Sequence, residues 1–152
     1  MYSVVLTLHS WNRWITLVLG VAALISAFQD HATLTERPRG SRWDTFLMAS
    51  VDLQVLFGLL LYLGLSPMTR AALTDFTAAI RTPSVRFWAL DHAVLMFGAV
   101  VLVRLGRILA MTAKTAAARR SRRLICFGLA LAIMLAGIPW PGMSVVRPLF
   151  RF

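Results

Sequence analysis

The sequence predicts an all-α integral membrane protein, a four-helix bundle with both termini in the periplasm. Three observations predict it. Four apolar stretches approach the ~20 residues that cross a bilayer. Hydrophobic residues make up 59% of the 152-residue chain, with a mean hydropathy of +0.73. Only 14% of residues are charged, and the arginines fall mainly in the gaps between the apolar runs. A soluble domain of this length could not hide so much apolar side chain.

The expected spans are 3–28, 44–65, 87–108 and 124–139, in one membrane domain covering 1–152. The first lacks a basic leader and a small-residue cleavage pattern, so it is expected to stay attached as a span. The polar stretch DHATLTERPRGSR separates it from the second and carries His31, expected to be solvated. Between the second and third spans, ALTDFTAAI sets Leu73, Phe76 and Ile80 at helical spacing. It reads as a short helix lying on the membrane surface or as a plain loop. The fourth span is short and stops at IPWP, because the Pro139 ring and its missing N–H end a helix.

Orientation follows from the placement of Lys and Arg. Arg37, Arg39, Arg42, Arg107, Lys114, Arg119, Arg120, Arg122 and Arg123 give one side nine cations. Arg70, Arg81, Arg86, Arg147 and Arg151 give the other five. The AAARRSRR segment is therefore expected as a cytoplasmic loop in a bacterial inner membrane, with Arg119, Arg120, Arg122 and Arg123 meeting anionic lipid or a partner. The formal charge of +10 lies in gaps between spans rather than on a soluble basic domain, which excludes nucleic-acid binding. A lone cysteine, Cys126, excludes an internal disulfide and a Cys-based metal motif.

Polar residues inside spans need a reason to be there. LTLHSWNRW puts His9, Asn12 and Arg13 within five residues of one another. Spans one and three run the same way, which places His9 and His92 at one depth, roughly 8–9 Å below the boundary. Two imidazoles on different helices could hold one haem iron from its two faces. They could equally be structural hydrogen-bonding groups. Asp91 is placed to orient a histidine. Arg13, one turn below His9, is expected to pair with Asp52, supported by Gln54, with Asp91 as its competitor, or to hold a haem propionate. Asp52 and Gln54 are about 200° apart on their helix, so they must face different neighbours. Arg104 is expected to snorkel, and Gly128, Ala132 and Ala136 form a small-residue stripe that permits close helix approach. No nucleophile–base pair is recognisable, so no enzymatic role is expected.

LHSWNRW, DLQVLFGLLLYL, RFWALDHAVLMFGAVVLVRLGR and IPWP together resemble a family of small four-span bacterial membrane proteins loosely labelled cytochrome b-like. His9, Arg13, Gln54, Arg86, His92 and Trp140 match its pattern; Asp52 stands where many members carry a histidine. The resemblance implies haem b and electron transport. The residues themselves favour a non-catalytic subunit packing between larger membrane proteins, with lipid and pigments as further neighbours, in a photosynthetic or respiratory complex. The C-terminal GMSVVRPLFRF, mixing apolar anchors with Arg147 and Arg151, is expected as a contact with such a partner.

Overall fold

A computed structural model describes residues 1–30, 41–143, 145 and 148–150. The expectations for His31, Arg37, Arg39, Arg147 and Arg151 lie outside the described residues. Among the described residues six helices follow in order: α1 (Tyr2–Phe28), α2 (Arg42–Leu65), α3 (Pro67–Thr74), α4 (Phe76–Arg81), α5 (Pro83–Met111) and α6 (Ala116–Ala136). No strand occurs among the described residues. Three of the helices, α1, α2 and α5, are long and apolar enough to cross a membrane.

The boundaries have local causes. Ser41 starts α2 by accepting the Trp43 N–H on its hydroxyl at 3.2 Å. Ser66 caps α3 with Pro67 at the first helical position, where a missing N–H costs nothing. The interfacial helix expected between spans two and three is two short helices instead. Asp75 breaks it, leaving helical geometry to accept the Ala78 N–H at 3.0 Å and start α4.

The largest correction concerns AAARRSRR, which is not a loop. Thr115 accepts the Ala118 N–H at 3.1 Å, and α6 begins at Ala116, eight residues before the expected start of the fourth span. Alanine and arginine are both good helix formers, so the helix starts well before the sequence turns apolar. The small-residue stripe is only partly used within the chain, where Gly128 faces Leu24. Ala132 and Ala136 point outward, and the close approach of α5 to α6 runs through Gly106. A Cβ on Gly106 would lie 2.7 Å from Cys126 Cβ and 3.0 Å from the Phe127 ring.

The helices pack in the spatial sequence α2–α1–α6–α5, while α2 and α5 meet only loosely. The core runs between them through Leu17, Leu47, Val103, Phe127 and Met134. Outward faces are apolar: Leu53, Leu56, Leu59 and Leu63 on α2, and Val94, Phe97, Val101 and Ile108 on α5. That inside-out surface suits lipid rather than water.

Candidate functional site

Two local irregularities place His92. Residues Phe87–Asp91 of α5, just before it, form a π-helical turn, as do Leu60–Leu65 at the end of α2. Such widened turns disturb the regular i→i−4 ladder and cluster at functional sites. The Tyr62 hydroxyl donates to the Ala89 carbonyl inside that turn at 2.6 Å, tying α2 to α5. At the far end of α6, Gly137 caps the helix ahead of Pro139. Helix ends carry carbonyls without intrahelical donors, and His92 Nδ1 donates to the Gly137 carbonyl at 2.8 Å. That bond puts the His92 proton on Nδ1 and leaves Nε2 with a lone pair.

His9 is held from the other side by a polar ladder between α1 and α2. Asn12 Nδ2 donates to the Ser50 backbone carbonyl at 2.9 Å and to Gln54 Oε1 at 2.7 Å. Gln54 Nε2 donates to the His9 backbone carbonyl at 3.1 Å and lies 3.2 Å from His9 Nε2. Thr16 and Ser50 share a hydroxyl contact at 2.7 Å and close the ladder. Backbone carbonyls only accept, so both amides have their orientation fixed. Gln54 Nε2 must therefore be the donor to His9 Nε2, and the neutral His9 carries its proton on Nδ1. That Nδ1 is buried and has no hydrogen-bond partner among the described residues. Gly58 lets α2 lie flush against the imidazole: a Cβ there would sit 3.4 Å from His9 Cε1.

The two rings approach edge-on, with centroids 6.4 Å apart and planes at 68°. Phe87 and Trp88 flank His92 at 5.9 and 5.5 Å. An iron held by both imidazoles at metal–nitrogen bonds of about 2.0 Å would set the centroids roughly 6 Å apart. The spacing therefore suits haem, and so does His92, whose Nδ1–H on a carbonyl is a common arrangement behind a metal ligand. His9 does not fit. Its Nε2 lone pair is engaged by Gln54, and binding through Nδ1 would push the proton onto Nε2 against the Gln54 donor. Among the described residues no group of three or more His, Cys, Asp or Glu side chains is placed to hold a metal ion.

The other expected partners rearrange. Asp52 is bonded to Arg104 of α5, not to Arg13, and both side chains are about half exposed, 51% and 48%. Arg104 thus pairs instead of snorkelling. Asp52 and Gln54 do face different neighbours, as their 200° separation requires. Arg13 donates to the Leu149 carbonyl at 2.5 Å and lies over the Trp14 ring. Asp91 pairs with Arg86 at 3.1 Å rather than orienting a histidine.

A second polar cluster closes the opposite end of the bundle, and the sequence reading missed it. Arg123 donates to Asp30 at 3.1 Å and to Asp44 at 2.6 Å, while Arg119 grips Asp30 through two bonds of 3.0 and 2.9 Å. Arg123 and Asp44 are each 1% exposed. Arg119 and Arg123 are therefore turned inward. Arg122 donates to the Leu109 carbonyl at 2.8 Å, and Arg120 lies over the Phe28 ring. The available signal was the i,i+4 spacing of Arg119 and Arg123, which puts both on one helix face.

No known protein family, curated protein or solved structure matches the chain.

Proposed function

We propose that the chain is a non-catalytic transmembrane accessory subunit of a larger bacterial energy-converting complex, photosynthetic or respiratory. In this reading α6 is a fourth span, both termini face the periplasm, and α3 and α4 lie on the membrane surface. The observation that carries it is the Arg104–Asp52 pair, half exposed on outward faces that are otherwise apolar. Asp52 is ten residues into α2, about 15 Å along the helix. An ion pair open to hydrocarbon at that depth is costly, and such groups normally face protein or a water-filled cavity. A neighbouring subunit covering the α2–α5 face removes that cost. The outward Ala132 and Ala136 of α6 give another helix a second place to approach closely.

The test is the mass of the protein extracted gently from its own membranes. The chain should travel with larger foreign membrane subunits, and Asp52→Leu with Arg104→Leu should release it while leaving the bundle folded. Recovery of the wild type only as a free monomer would sink the proposal.

A b-type haem protein with His9 and His92 as axial ligands is the second reading, in line with the cytochrome b-like resemblance. The 6.4 Å ring spacing favours it; the Gln54 contact on His9 Nε2 opposes it.

A further inference from the structure

Asp52 and Arg104 belong to the outward apolar seams of α2 and α5. Steps of four and three residues carry Asp52 on to Leu56 and Leu59, and steps of three and four carry Val101 through Arg104 to Ile108. All six residues are exposed. The two helices run antiparallel, since Thr45–Arg107, Asp52–Arg104 and Tyr62–Ala89 follow one another up α2 and down α5. They pack only loosely against each other. We propose that this face binds a second copy of the chain, related by a two-fold axis along the membrane normal, with Asp52 of each copy bonded to Arg104 of the other.

Charge selects the copy over other helices. The face carries one acid and one base at a single depth, because the two are bonded to each other. A partner helix with a lone carboxylate or a lone guanidinium there would add an uncompensated charge inside the membrane. An apolar helix would cover the pair but leave the remaining Arg104 N–H groups unserved, since a guanidinium has five and Asp52 takes one. The partner must therefore bring one group of each sign to the same depth. A second copy does so by symmetry. Chains inserted the same way round are related by an axis along the normal, and that rotation keeps every residue at its own depth. It also exchanges left for right, setting Asp52 of each copy against Arg104 of the other, so that four charges of alternating sign close a ring. α2 and α5 with their two counterparts then form a four-helix bundle in which each helix meets oppositely directed neighbours. That protein covers this face at all rests on the reading above; the charge pattern adds which protein. The outward Ala132 and Ala136 of α6 remain for larger subunits. A pair docks there through two such faces, so breaking the pair also loosens that hold.

The experiment places full chains labelled at the exposed N-terminus, half with a donor dye and half with an acceptor, in one population of lipid vesicles. Energy transfer should exceed the level of random mixing, fall when unlabelled wild type is added, and vary linearly with the acceptor fraction, as a dimer requires. Asp52→Arg alone and Arg104→Asp alone should each weaken self-association about tenfold, the scale of hydrogen bonds between membrane helices. Mixed together, the two variants should pair again, because opposite charges are then restored between the copies and not within either. Transfer at the random level for the wild type, which needs no variant to fold, would overturn the proposal. So would two helical, inserted variants that stay apart when mixed. Chains that never pair yet leave their native membranes with foreign subunits would refute the second copy and keep the subunit reading. Chains that pair but travel without foreign subunits would do the reverse.

Discussion

Arg123→Met should be the most damaging single change in the protein, costing about 3–5 kcal/mol of stability. The guanidinium joins Asp30 at the end of α1, Asp44 at the start of α2, and its own helix α6. Methionine fills similar volume but strands the Asp44 carboxylate at 1% exposure. Desolvating two charges is costly in itself, so a buried ion pair is weak evidence of net stabilisation; removing one partner is what hurts. The double variant Arg123→Met with Asp44→Leu should therefore recover much of the loss. Unfolding in detergent, followed by helical circular dichroism, measures both. Equal instability of the single and double variants would show that the two side chains are not coupled.

Gln54→Leu should come second, at about 1–2 kcal/mol, the upper end of hydrogen bonds between membrane helices. It removes the acceptor of Asn12 and the donor that fixes His9. Its more telling consequence is chemical. With Gln54 gone, nothing fixes the His9 tautomer, and ¹⁵N imidazole shifts should move from a single Nδ1–H form to a mixture. A wild-type spectrum already showing both tautomers would mean that the ladder does not orient the ring.

The apolar runs made α1, α2 and α5 legible, because length and hydropathy decide what can span a bilayer. The start of α6 was not legible for the same reason. Hydropathy reports where a chain turns greasy, whereas Thr115 and the alanines that follow decide where it turns helical. The pairing of His9 with His92 was readable from depth along parallel helices, since a fixed rise per residue converts sequence position into height. Azimuth was harder. Arg13 and Asp52 were matched by depth alone, but Asp52 points towards α5, where Arg104 reaches it from a turn the sequence assigned to the interface. The Arg119–Asp30 and Arg123–Asp44 contacts are separated by 89 and 79 residues, and only the packing of α1, α2 and α6 brings them together. Local spacing could mark Arg119 and Arg123 as one face. It could not say that acids would meet it.

The polar residues of LTLHSWNRW tie α1 to α2, and Gln54 occupies the His9 Nε2 that a haem iron would need. A reduced-minus-oxidised visible spectrum of the protein purified from its native membranes, with extracted haem counted per chain, tests it most directly. With Gln54 on His9 Nε2, this chain should give no b-type signal. About one haem b per chain, lost in both His9→Ala and His92→Ala, would contradict it.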